Sequence, residues 1–170
     1  MAVTGTITKA VNISHTADDT ISVVTDSIVS GSKTFPSLTR TVTDGTAAGQ
    51  ANKVYRIYGT INASSSSTID LSGSLTNFHG DAVVFTGVKY LCLAIVSPDG
   101  TKKLQIGNAA SNSFQGPLSG TTTTQDCFYS LEWENWSAAG WSVSNSSNDS
   151  LKLNNPGASA VSYCLTIVGI

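Results

Sequence analysis

The chain has 170 residues (17.6 kDa), 40% of them hydrophobic and only 12% charged, with a net charge of −2, a pI near 5.5 and a mean hydropathy of +0.06. The hydrophobic fraction excludes global disorder. The nine basic residues are scattered, with Lys102–Lys103 the one adjacent pair, which argues against counterion-displacing capture of nucleic acid. No run reaches the ~18–20 apolar residues that span a bilayer, so no membrane partner is expected.

In chain order, the first segment alternates with a period of two. Val3, Ile7, Val11 and Ile13 share one face, and Thr4, Thr6, Thr8, Asn12 and Ser14 the other, as in a half-buried strand. Ile21, Val23 and Val24 start a second strand, and Leu38 to Val42 form a third after the Phe35–Pro36 break. Residues 1–44 therefore read as an N-terminal β arm whose apolar stripe completes its burial on another chain. The N-terminal residues show neither a basic segment nor an apolar segment of a leader, so synthesis and folding are expected in a cytoplasm. Residues 45–52, DGTAAGQAN from Asp44 onward, are small and turn-prone and read as a flexible linker.

Residues 53–170 read as a β-sandwich domain built of short strands and turns. Tyr55, Ile57 and Ile61 share a face; Ile69, Leu71 and Leu75 form the next pattern; Val83 to Phe85 follow a turn at Phe78–Gly80. Val88 to Val96, interrupted by Lys89, is apolar on both faces, as a central strand between layers would be. Pro98–Asp99–Gly100 turns the chain, and Leu104–Ile106 is expected to return as the hairpin partner of that strand. Cys127, Tyr129, Leu131 and Trp133 alternate, and Trp141–Val143, Leu151–Leu153 and Val161–Val168 complete the set. No stretch has helical spacing. The fold class is all-β: an antiparallel sandwich of jelly-roll or Greek-key type with an extended N-terminal arm, its last strand paired up to Ile170.

Chemistry-bearing constellations are few. His15 lies in the arm and His79 in a turn, Asn77–Asp81, with no nucleophile–base pair around either. Glu132 and Glu134 flank Trp133 and would share one strand face, which suits a solvated strand edge better than the opposed carboxylates of a glycosidase. Asp44 and Asp99 sit in DGT turns without the spacing of a calcium loop. Cys92, Cys127 and Cys164 have no metal-ligand spacing, and LCLAIV and YCLTIV place Cys92 and Cys164 as buried thiols. No catalytic residue, cofactor or metal is therefore expected. The aromatic cluster Trp133, Trp136 and Trp141 fits core packing, an intersubunit contact or a sugar-stacking platform.

Three blocks, GTAAGQANKVYRIYGTI, STIDLSGSLTNFHGDAVVFTGVKYLCLAIV and LQIGNAASNSF, are followed near the C-terminus by GWSV and GASAVSYCLTIVG. In order and spacing this run, Gly45 to Ile170, resembles a family of small structural proteins of tailed-bacteriophage virions. The resemblance implies a virion location, with assembly in the host cytoplasm. It fits a capsid decoration or cement protein that binds the major capsid protein as a homo-oligomer, expected to be a trimer on three-fold sites. The alternative is a tail fibre, spike or baseplate module that binds a host glycan. The residues assigned to partner contacts are Val3, Ile7, Val11 and Ile13 of the arm and Trp133, Trp136 and Trp141 of the sandwich.

Overall fold

Alternation with a period of two decides the architecture, because each strand has one apolar row to bury and therefore needs a second sheet to bury it against. The computed structural model describes residues 5–8, 39–73, 75–77, 80–96, 98–118 and 120–170. In chain order the strands are β1 (Gly5–Thr8), β2 (Thr39–Asp44), β3 (Gln50–Ala51), β4 (Lys53–Ile61), β5 (Ser65–Asp70), β6 (Leu75–Thr76) and β7 (Ala82–Val83). They continue with β8 (Gly87–Ile95), β9 (Leu104–Gly107), β10 (Thr124–Cys127), β11 (Ser130–Glu134), β12 (Trp141–Ser142), β13 (Ser150–Asn155) and β14 (Val161–Gly169).

Two sheets form the sandwich. One is five-stranded, in the order β11-β8-β14-β4 with β12 also on β8, and the other is four-stranded, in the order β10-β9-β13-β5. Numbering the eight long-range strands (β4, β5, β8, β9, β10, β11, β13, β14) first to eighth, the sheets read first-eighth-third-sixth and second-seventh-fourth-fifth. That order is a jelly roll, and every pairing within it is antiparallel. It corrects one expectation: β9 does not return beside β8. The turn at 98–100 carries the chain across to the other sheet, where β9 pairs β10 and β13.

The core lies between the sheets. Tyr55 and Ile61 of β4, Leu91, Leu93 and Ile95 of β8, and Val161, Tyr163, Leu165 and Ile167 of β14 face Ile69, Leu104, Ile106, Leu151 and Leu153 of the opposite sheet. Asn155, fully buried, ties two turns at one end: its Nδ2 donates to Ile61 O, Asn62 O and Ser159 O, and its Oδ1 accepts from Gly157 N. At the other end Ile170 N donates to Gly87 O, and Ile170 O accepts from Thr86 N and Gly87 N, so the final residue lies in the sheet system.

The arm differs from its expected form. β1 pairs antiparallel with β2 of the same chain, and β2 pairs parallel with β3. This third sheet is anchored to the outer face of the five-stranded sheet by Val42 and Ala51, both buried. Val3, Val11, Ile13 and the two histidines fall outside the described residues; Ile7 lies in β1, opposite Arg40.

Candidate functional site: a clamped arm and two unlike faces

On β8, residue parity changes at Lys89. The pairing to β14 runs Val168↔Tyr90 and then Gly169↔Val88, so Lys89 is the extra residue of a bulge. Beyond the bulge, Tyr90 and Cys92 point out of the sandwich, with Val168 of β14 and Val54 of β4 beside them. Val42, Ala51 and Trp136 cover them, forming a second apolar cluster on the outside of the sheet. The Trp136 ring stacks on Tyr90 at 6.5 Å between centroids, and its Nε1 donates to Glu134 Oε2 at 2.9 Å.

Residues 45–52 are a clamp rather than a flexible linker. The Lys89 side chain is fully buried, and its Nζ donates to the carbonyls of Thr46 (3.2 Å), Ala47 (2.8 Å) and Gln50 (2.9 Å). The loop is shaped for this: Gln50 N donates to Ala47 O, Gln50 Oε1 accepts from Ala47 N, and Gly49 N donates to Trp136 O. Gly49 has φ +77°, a conformation that suits glycine. A buried ammonium must be fully hydrogen-bonded to be tolerated, and three converging carbonyls meet that need. Burial nonetheless holds its pKa below the ordinary lysine value. Sequence reading missed the clamp because the loop's composition is that of a linker and its cation sits about forty positions away. The available signal was Lys89 itself, a charge inside an otherwise apolar run.

The three tryptophans part company. Trp133 and Trp141 are half-buried and pack against the inter-sheet core, whereas Trp136 packs on the outer cluster. The cysteines also redistribute. All three are free; Cys127 is buried, with its thiol pushed up to about 11 by burial, while Cys92 and Cys164 are half-buried on the outer face. The apolar strings LCLAIV and YCLTIV misplace them because their alternate positions face outward. Arg56 Nε donates to Cys164 Sγ at 3.4 Å, and Arg56 Nη2 donates to the Tyr58 hydroxyl at 2.6 Å. Burial and then hydrogen bonding to Glu132 push the Tyr90 phenol up. Glu132 and Glu134 lie on one face of β11, opposite Cys92 and Tyr90.

Among the described residues, the outer face of the four-stranded sheet has no apolar cover. A polar row crosses it: Lys103 Nζ lies 2.8 Å from Asp126 Oδ2, Gln105 Nε2 donates to Asp126 Oδ1 at 3.0 Å, and Asn154 Nδ2 donates to Gln105 Oε1 at 3.0 Å. Ser66 stands opposite Asn154 at the end of the row. The turn aspartates act locally: Asp99 Oδ1 accepts from Thr101 N, Thr101 Oγ1 and Lys102 N, which holds its carboxyl well below the usual carboxylate range. The Asn77–Asp81 segment is closed by Asn77 N to Asp81 O and Asp81 N to Asn77 Oδ1. Among the described residues no group of three His, Cys, Asp or Glu side chains could hold a metal ion, and no helix is long and apolar enough to cross a membrane.

No protein-family model matches this chain, and no curated protein matches it. Among solved structures it matches the mitogen derived from Yersinia pseudotuberculosis at 15% identity and a TM-score of 0.37, over 69% of this chain and 86% of that one.

Proposed function

We propose that this protein is a structural component of a tailed-bacteriophage virion: a decoration protein that binds the major capsid protein of the head shell as an oligomer. It acts by binding and not by catalysis, without a cofactor. The observation that carries this reading is the Lys89 clamp. It joins two of the sequence blocks on which the family resemblance rests, GTAAGQA and GVK, and uses both to fasten an N-terminal sheet onto a jelly roll. Residues used in this way fix the direction in which an arm leaves a rigid body, as a protein that reaches across neighbouring capsomers requires. Among the described residues nothing covers the polar outer face of the four-stranded sheet, where Lys103, Asp126, Gln105 and Asn154 pair with one another.

The test is the copy number of the protein in purified virions, with co-sedimentation of the purified full chain on heads that lack it. Hundreds of copies and saturable binding to heads are expected. A few to a few dozen copies, released with tails, would move the protein to a tail fibre, spike or baseplate, with a host glycan as its ligand. Absence from virions would remove the reading altogether.

A further inference from the structure

A β-sheet edge exposes backbone donors and acceptors, and soluble proteins blunt such edges with charge, proline, bulges or shortness. Three of the sandwich edges here are managed in this way. β10 has four residues, β11 has five with two glutamates, and β5 is Ser-Ser-Ser-Thr-Ile-Asp. β4 is different. It has nine residues, Lys-Val-Tyr-Arg-Ile-Tyr-Gly-Thr-Ile, and its register on β14 runs unbroken from Ile61↔Val161 to Lys53↔Gly169. It contains no proline, and its one mid-strand charge is folded back on its own strand: the Arg56 guanidinium lies 5.1 Å from the Tyr58 ring centroid.

The free groups on this edge can be assigned. Val96 N donates to Ser162 O at 2.8 Å, so Ser162 aims its backbone at β8, and Val161 and Tyr163 aim theirs at β4. Their partners Ile61 and Gly59, and by alternation Ile57 and Tyr55, are therefore the bonded residues of β4. The Thr60 and Ser162 hydroxyls, 2.8 Å apart, show the close side-chain approach of an intervening non-bonded pair. Arg56, Tyr58 and Thr60 thus direct their N–H and C=O outward, and among the described residues no strand pairs with them. β7 lies near the start of β4, where Ala82 and Val83 share a small cavity with Lys53 and Val54, so the open stretch is Tyr55–Ile61. Its midpoint is Tyr58, the most exposed large hydrophobic side chain described, at 65%.

We propose that two copies of this chain join along β4, antiparallel about a two-fold axis at Tyr58, merging their five-stranded sheets into one. The stretch is self-complementary about that axis. Tyr58 meets Tyr58 of the second copy on the outer face, and Arg56 meets Thr60. On the inner face Ile57 meets Gly59, whose missing side chain makes room for the buried Tyr163 ring: a Cβ there would stand 2.8 Å from that ring. Tyr55 meets Ile61. Tyr58, Arg56 and Thr60 supply three hydrogen-bonded pairs across the axis. An isologous contact of this kind closes at two copies, unlike the trimer expected from icosahedral symmetry, and it stands whether or not the virion assignment holds.

The test uses the full chain at micromolar concentration in light scattering and sedimentation equilibrium. A dimer is expected, and Tyr58→Lys, which places two like charges on the axis at an exposed position, should weaken it at least ~10-fold while leaving circular dichroism and Tm near wild type. The register is read by Tyr58→Cys in a Cys92→Ser, Cys164→Ser background, because Cys164 faces Tyr58 within the same sheet. Paired residues on the axis sit about 5.5 Å apart between Cα atoms, within disulfide reach, so oxidation should give a covalent dimer. Thr60→Cys in the same background, four residues from its own copy, should not crosslink. A monomer overturns the proposal, whether the edge is bare or covered by residues 9–38 of its own chain. So does a trimer, a dimer indifferent to Tyr58→Lys, or equal crosslinking of both cysteine variants.

Discussion

The two outer faces of this sandwich differ: the five-stranded sheet, with three strands of nine residues, carries a further layer, whereas the four-stranded sheet, with strands of four to six residues, carries none among the described residues. On the five-stranded sheet, the outward positions Val54, Tyr90, Cys92 and Val168 are apolar enough to hold Val42, Ala51 and Trp136 against them. On the four-stranded sheet, outward positions include Lys103, Asp126, Gln105 and Asn154, which pair with one another sideways along a row that ends opposite Ser66. A face whose polar groups are already paired laterally offers nothing to an added layer, whereas a strand apolar on both sides must be covered on both. The difference lies in four or five side chains and not in topology.

Replacing Lys89 by Met should have the largest effect on that contrast. It leaves the carbonyls of Thr46 and Gln50 without the Nζ donor and Ala47 O with Gln50 N alone, and we expect a loss of about 3 kcal/mol in urea unfolding, together with new protease cleavage within 39–52. Unchanged cleavage would mean that the added sheet holds without its clamp. Trp136→Ala removes the stack on Tyr90 and half-buried packing, with an expected cost of about 2 kcal/mol, read in the same unfolding curves. Gln105→Ala, in the middle of the bare face, should change stability by no more than about 0.5 kcal/mol. A cost equal to that of Trp136→Ala would show that the polar row is as structural as the apolar cluster.

pH separates the faces by sign. Burial raises the pKa of Tyr90 and Cys92 on the clad face, and of Tyr55, Tyr163 and Cys127 in the core. Each therefore contributes stability that is complete below its unfolded value, 9.0 for the thiols and 10.0 for the phenols, and is lost as pH rises toward the folded value. Lys89, with a lowered folded pKa, opposes them in part by recovering stability as pH rises toward 10.5. The net expectation is a falling Tm above about pH 9. On the bare face, Lys103 and then Gln105 hold the Asp126 carboxyl below its usual value. Its contribution is present above the unfolded pKa and is lost as pH falls through the folded one, a small change given its exposure. Melting curves across acid and alkaline pH, with and without Asp126→Asn, measure both limbs.

Much of the fold could be read from alternation alone. The both-sided apolarity of Val88–Val96 marks β8 as a strand between layers, and the paired terminal strand follows from Val161–Val168. What escaped were facts that join distant positions. A small-residue string looks flexible until Lys89 is placed within it. Trp133, Trp136 and Trp141 look like one cluster in sequence, but strand parity and a loop send two inward and one outward. β9 looks like a hairpin return because the Pro-Asp-Gly turn is local, whereas the crossover to the other sheet is set by where β13 and β10 lie. Of the candidate contacts, the arm stripe rests mainly on residues beyond those described, and the tryptophans are half-buried, two against the inter-sheet core and one on the outer cluster.

The place of β14 has a consequence for synthesis. It follows every other strand of the sandwich in the chain, yet it lies in the middle of the five-stranded sheet, between β8 and β4. During translation β4 and β8 therefore emerge long before the strand that joins them, and the sheet can close only once residues 161–169 have cleared the ribosome. Such non-local closure is slow, on the order of milliseconds to seconds, and in that interval β4 lacks its partner strand while β8 has only β11 and β12 along one edge. Crowding of nascent chains on one message, or a pause shortly before Val161, would favour aggregation over yield.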